Sequence, residues 1–144
     1  MEKLSVNEGK DEIAVLKSLA KREIERIMSL PQPVVRVCGP LTADGPDGYE
    51  KNAARLTKAE EILTARGMSV WNFDQAEDEI FGKGYDHDNI FKYFHQLVLE
   101  SGLIKEAYFL PRSNESNGAT LERNLALELG ITVKEFREEW FGEG

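Results

Sequence analysis

Residues 106–133 read "EAYFLPRSNESNGATLERNLALELGITV". An apolar, aromatic run of strand type ends at Pro111, a polar loop rich in Ser, Asn and Gly follows, an apolar-periodic segment closes at Gly130, and "ITV" resumes strand character. A strand, a helix and a strand in that order form a βαβ unit, whose two strands run parallel across a right-handed crossover. The spacing of Leu121, Leu125 and Leu129 assigns those leucines to the buried face of the helix. One carboxylate, Glu122, stands near the seam of loop and helix. It is either a functional group or a solvated residue that the helix dipole favours in the first turn.

Moving outward, "VVRVCGP" (34–40) is a short β-branched run stopped by Gly-Pro, a buried strand, and "MSVWNF" (68–73) is another. Between them, "YEKNAARLTKAEEILTARG" places Ala53, Leu56, Ala59 and Leu63 on one helical face. Asp47 with Glu50 resembles a capping box, and Gly67 occupies the position of a C-terminal helix-stop glycine. From Asp88 a further helix carries Ile90, Phe94 and Leu97, widened by Phe91 and Val98. The tail offers Phe136, Trp140 and Phe141 on a short docking helix. Strands alternating with helices predict a single-domain α/β fold, an open, doubly wound parallel sheet of Rossmann or flavodoxin-like type with helices on both faces. That domain is assigned to residues 31–144. Residues 1–30 form an N-terminal helical extension, where Ile13, Leu16, Ala20, Ile24 and Ile27 make one apolar stripe ended by Pro31 and Pro33. The stripe either packs on its own domain or pairs with a second copy.

A chain of 144 residues, 41% hydrophobic and 31% charged, suits one cored domain. The net charge of −8 argues against a nucleic acid polymer as partner, because sequence-independent binding to a phosphate backbone needs clustered cations. A small anion remains possible, since backbone N–H groups at a helix start hold phosphate without net positive charge. The single cysteine, Cys38, excludes an intramolecular disulfide. No run has the ~20 apolar residues of a membrane span and no signal peptide opens the chain, so no membrane partner is expected and the location is read as cytoplasmic.

In doubly wound sheets the ligand lies at the carboxyl ends of the strands, near the reversal of strand order. Three loops stand there: Gly39–Gly48, the long loop after "WNF", and the loop that precedes Glu122. The first is an ordinary βα turn or an anion-holding one; it has neither a P-loop nor a G-x-G-x-x-G pattern. In the third, Ser116, Asn117, Gly118 and Thr120 offer hydroxyl, amide and glycine groups to a phosphate or a sugar, or serve to cap the helix. The second supplies Asn72 and a set of acids that begins with Asp74. His87 in "YDHDN" lacks a second clustered histidine, so no metal is expected, and His95 reads as a packing residue. Cys38 has no base marked for it.

"VCGPLT" followed by "LIKEAYFLPRSNESNGATLERNLALELGITV" resembles the nucleoside 2-deoxyribosyltransferase superfamily, which includes deoxynucleoside 5′-monophosphate N-glycosidases. The resemblance covers about residues 34 to 134 and rests on Ser116, Gly118, Glu122 and Ala126 in the pattern S-x-G-x-x-x-E-x-x-x-A. It implies that Glu122 attacks C1′ of a nucleoside or nucleotide, without a cofactor, by way of a covalent glycosyl intermediate. It further implies that Ser116 and Gly118 hold the 5′ end, that Gly39, Pro40, Leu41 and Thr42 form the opposite wall, and that the chain is a homo-oligomer, a dimer or higher; Asn72, Asp74 and Asn117 complete the substrate-binding candidates. A retaining mechanism needs a second carboxyl group about 5 to 5.5 Å from the first. The family's usual aspartate, eight residues before Glu106, is replaced by Val98, which leaves Asp88 and Glu100 as the candidates. The tyrosine usual on the first loop is also absent, with Tyr49 close by. A module of the same fold that binds nucleotides without turning them over is the alternative.

Overall fold

Two sets of side chains alternate along β1 (Val34–Cys38), and each meets a different layer of helices. Val34 and Cys38 join one core cluster, and Val35 and Val37 the other, as the two-residue period of a pleated strand requires. The structure, a computed structural model, describes residues 2–39, 45–72, 80, 85–113 and 117–142; for residues 2–10, 45–49, 87, 117 and 118 it describes the backbone alone.

In chain order the other elements are α1 (Glu2–Met28), α2 (Gly45–Ala65), β2 (Ser69–Val70), α3, β3 (Ile104–Phe109), α4 (Asn117–Leu129), β4 (Thr132–Glu135) and a terminal 3₁₀ helix (Glu138–Gly142). Helix α3 is built of an α-turn His87–Ile90, a π-helical stretch Phe91–His95 and a second α segment Gln96–Glu100. All strands run parallel in the order β2–β1–β3–β4, so the fold is the expected α/β open sheet. The chain leaves β1 for β2 on one side and returns past β1 to β3 on the other. Strand order therefore reverses between β1 and β3, where Cys38 stands opposite Phe109. The crevice outside these carboxyl ends is where such sheets bind ligands.

One face of the sheet is covered by Leu56, Ala59 and Leu63 of α2, by Phe136 just after β4, and by Trp140 and Phe141 of the terminal 3₁₀ helix. The other is covered by α1, α3 and α4. Leu16, Ala20 and Ile27 of α1 are buried in the same cluster as Val34, Phe94 and Ala126, so the N-terminal helix packs on the sheet of its own chain. The glycine stops act as their positions suggest: Gly67 (φ 91°) and Gly130 (φ 77°) take the left-handed conformation, and Met68 and Ile131 donate back to Leu63 and Ala126.

Three expectations need correction. Helix α2 begins at Gly45, so Asp47 lies inside it rather than capping it; Pro46 suits a first turn, where its missing N–H has no partner to lose. Strand β2 is two residues long, although Trp71 still donates its N–H to the Val35 carbonyl at 3.0 Å. On α4 the buried stripe is Ala119, Glu122 and Ala126, while Leu121 and Leu129 are 41% and 42% exposed. Small residues let α4 approach the sheet closely, and that close approach turns the leucines outward.

Candidate functional site

An arginine in the middle of "VVRVC" must point to one layer or the other, and the pleat sends Arg36 between Val34 and Cys38 into the layer of α1, α3 and α4. Its guanidinium meets the carboxylate of Glu122 in a forked pair: Nε donates to Oε2 at 3.2 Å and Nη2 to Oε1 at 3.1 Å. Both residues are buried, Arg36 to 4% exposure and Glu122 to 6%. The thiol of Cys38 donates to the same Oε2 at 2.9 Å. Glu122 is therefore no solvated helix residue. It is the sixth residue of α4, past the first turn where the helix dipole acts, and it stands beside the end of β1 at the strand reversal.

The π stretch in α3 brings His95 to the same place. The Gln96 N–H reaches back to Phe91, a five-residue step that widens one turn and leaves Phe94 and His95 both buried. Nδ1 of His95 lies 3.7 Å from Glu122 Oε1 and 3.4 Å from Arg36 Nη2. The Arg36 guanidinium also lies over the Trp71 ring, 4.7 Å from its centroid, a cation–π contact. The Trp71 indole N–H donates to Glu23 on α1 at 2.9 Å.

These contacts fix the charge states. Burial alone raises a carboxyl pKa, but the charge of Arg36 beside Glu122, the nearby His95 and the hydrogen bonds from Arg36 and Cys38 outweigh it and hold Glu122 at about 2. Burial drives His95 down to about 4, with the Arg36 charge adding to the effect and Glu122 opposing it. Burial and the Glu122 charge push the Cys38 thiol up, so it remains a thiol. At neutral pH the cluster is thus an ion pair flanked by a neutral imidazole and a neutral thiol. Cys38 is no thiolate nucleophile here, because burial and the Glu122 charge hold its proton and a carboxylate kept ionised down to about 2 is too weak a base to remove it.

The other candidates fall into three groups. Gly39 sits at the end of β1 against Leu110, where a Cβ would come within 2.7 Å of Leu110 Cδ1. Asn72 is exposed, and its carbonyl accepts from Arg26 of α1. Asn117 and Gly118 open α4, with side chains outside the described residues. Pro40, Leu41, Thr42, Asp74 and Ser116 lie outside the described residues altogether. Asp88 and Glu100 do not join Glu122. Both are exposed: the backbone N–H of Asp88 bonds to Asp86, and Glu100 accepts from Gln96. Ile90, Phe94, His95, Val98 and Leu99 take the inward positions of α3, which leaves residues 88 and 100 outside. Among the described residues the polar partners of Glu122 are Arg36, Cys38 and His95.

Arg36, Trp71 and Glu23 escaped the sequence reading, which took His95 as a packing residue alone; it is buried, and it also faces Glu122. The available signal was a charge inside an otherwise apolar strand, since a buried cation requires a buried anion. Among the described residues no group of three or more His, Cys, Asp or Glu side chains is placed to hold a metal ion, and no helix is long and apolar enough to cross a membrane. Compared with protein-family models, with curated proteins and with solved structures, the chain finds no match.

Proposed function

We propose that this chain cleaves or transfers at the N-glycosidic bond of a (deoxy)nucleoside or nucleoside 5′-monophosphate, with Glu122 as nucleophile. The observation that supports it is one carboxylate kept ionised at the β1/β3 strand reversal, where ligands bind in this fold. An ionised carboxylate is what attack on an anomeric carbon needs. Among the described residues Oε2 accepts two hydrogen bonds and Oε1 one, so Oε1 keeps the lone pair for the new bond to C1′. The C1′–N bond breaks as that ester forms, the base leaves with a proton, and water or a second base then takes the sugar from Glu122. His95, held neutral, is a poor source of that proton, and Asp88 and Glu100 point elsewhere. A donor from the loops beyond the described residues, or the solvent, completes the step. The reading carries with it the resemblance to nucleoside 2-deoxyribosyltransferases, a homo-oligomeric assembly and a cytoplasmic location.

A second reading is favoured by the fork itself. A carboxylate bound at both oxygens by a buried guanidinium is stabilised in its ground state, as suits a nucleotide-binding module that turns nothing over. One panel separates the two: nucleosides and 5′-monophosphates with each base, free base detected by chromatography, and the Glu122 peptide weighed for a trapped sugar. The catalytic reading expects free base and an adduct from at least one substrate, both lost in Glu122→Gln. Nucleotide-dependent thermal stabilisation that survives Glu122→Gln, with no base released by the native chain, selects the second reading.

A further inference from the structure

We infer that Glu23 and Trp71 are positioning residues for Glu122, acting through Arg36, so that α1 is a working part of the candidate site and not only a cover for the sheet. The inference deepens the reading of Glu122 given above, and it concerns a helix outside the stretch that carries the resemblance. Its basis is an unbroken series of contacts. Glu23 is fully buried and is gripped within α1 by Arg26, whose Nε donates to Oε1 at 3.0 Å, and by Arg22, whose Nε donates to Oε2 at 3.2 Å. Arg26 also bonds to the Asn72 carbonyl, which pins α1 to the carboxyl end of β2. Glu23 Oε1 then accepts the Trp71 indole N–H at 2.9 Å. The indole lies under the Arg36 guanidinium at 4.7 Å, and that guanidinium forks onto Glu122.

Each link constrains the plane of the next. A forked guanidinium–carboxylate pair is coplanar, so the plane of Arg36 fixes that of the Glu122 carboxylate. The face of Trp71 fixes the plane of Arg36, and Trp71 is held by its bond to Glu23 and by a tilted contact with Phe94, ring centroids 6.2 Å apart. An indole whose N–H donates to a carboxylate is more electron-rich, which strengthens its hold on the cation. Among the described residues the Glu23 side chain bonds to Arg22, Arg26 and Trp71 and to no backbone group. Its burial costs desolvation that a leucine would not incur, and beyond the pairs with Arg22 and Arg26 what it gains is a fixed indole.

The test uses the full chain and the Glu23→Ala and Glu23→Gln variants. The first readout is the titration midpoint of the Glu122 carboxyl carbon by carbon NMR, assigned by its loss in Glu122→Gln. The groups that face Glu122 are Arg36 and Cys38 from β1 and His95 from α3; those that face Glu23 are Arg22, Arg26 and Trp71. Removing the Glu23 charge by itself, by Coulomb's law, lowers the midpoint of another acid. Loss of positioning loosens the Arg36 fork and raises it, so the two effects differ in sign. The expected result is a raised Glu122 midpoint in Glu23→Ala. Glu23→Gln, which keeps an acceptor for the indole, shows no rise. Should Glu23→Ala not fold, Trp71→Phe, which deletes the indole N–H, is read the same way. Wherever the native chain releases base, kcat falls about tenfold in Glu23→Ala at unchanged KM, and Glu23→Gln restores it. A Glu122 midpoint unchanged or lowered in Glu23→Ala, or in its Trp71→Phe stand-in, overturns the inference. A native chain that releases no base defeats the catalytic reading alone, and the NMR midpoints still decide the positioning.

Discussion

Arg36→Met leaves a carboxylate inside the protein without its counter-charge, and the size of the loss follows from two independent routes. Glu122 is held at about 2 against an ordinary 4.5, a difference worth roughly 3 kcal/mol at about 1.36 kcal/mol per pKa unit. Removing one partner of a buried ion pair costs about 3–5 kcal/mol in other proteins. The two routes meet at a loss of about 3 kcal/mol at neutral pH, which with a urea slope of about 1–3 kcal/mol per molar lowers the unfolding midpoint by roughly 1–3 M. The assay is urea unfolding followed by tryptophan fluorescence, to which Trp71, buried against Arg36, and Trp140 both contribute, and by circular dichroism. The double variant Arg36→Met/Glu122→Leu removes both charges and fills the space with carbon, so it recovers most of the loss. A single variant that loses less than about 1 kcal/mol, the level of an exposed pair, refutes the reasoning. So does a double variant no more stable than the single.

Stability falls with acid through two members of the cluster. The folded chain binds a proton less readily than the unfolded one both at His95, about 4 against 6.5, and at Glu122, about 2 against 4.5. The loss therefore runs from pH 6.5 down to about 4 through the first and from 4.5 down to about 2 through the second. His95→Gln flattens the upper part of that arm in thermal unfolding measured across the range. Gly39→Ala presses a methyl to 2.7 Å from Leu110 Cδ1 and 3.1 Å from its Cβ, an overpacking of about 1–3 kcal/mol in thermal melts, and Leu110→Ala costs less in that chain than in the native one. Gly67→Ala meets no atom within 4 Å but must hold φ at 91°, so it loses about 1–2 kcal/mol from backbone conformation alone. Leu129→Lys leaves the melting temperature nearly unchanged, whereas Ala126→Leu, at the seam of α4 and the sheet, lowers it by several degrees.

The alternation of strand and helix was plain in the sequence because β-branched runs such as "VVRVC" and glycine stops such as Gly67 and Gly130 act locally. The face that α4 turns to the sheet was not. Periodicity favoured the large leucines over Ala119 and Ala126, but the inward face is set by how close two layers approach, a tertiary quantity that no helical period carries. The π stretch in α3 escaped for a similar reason: one added residue per turn shifts which side chains face inward, and that shift is what sends His95 in beside Phe94. Glu122 was legible by its place near the loop–helix seam. Its partners were not, because Arg36 lies 86 residues before it and His95 lies 59 residues after Arg36, and the three meet only when the sheet is assembled.

The ion pair itself bears on what the strand reversal is for. A strand reading Val-Val-Val-Val-Cys would fill the same layer without removing a guanidinium from water, and apolar replacements of buried pairs are often neutral or stabilising. Stability alone is therefore a weak reason for Arg36 and Glu122 to stand where they do. Their position is the more telling fact: the pair lies at the strand reversal, with a thiol and an imidazole in reach and an indole beneath the cation. Perturbed ionisable groups concentrate where chemistry or recognition needs them. The Arg36→Met/Glu122→Leu chain turns that argument into a measurement, because it keeps the fold while it removes the charges. If it melts like the native chain and still binds nucleotides equally well, the charges serve neither stability nor the ligand. If it melts like the native chain and loses either binding or base release, the cluster exists for the crevice.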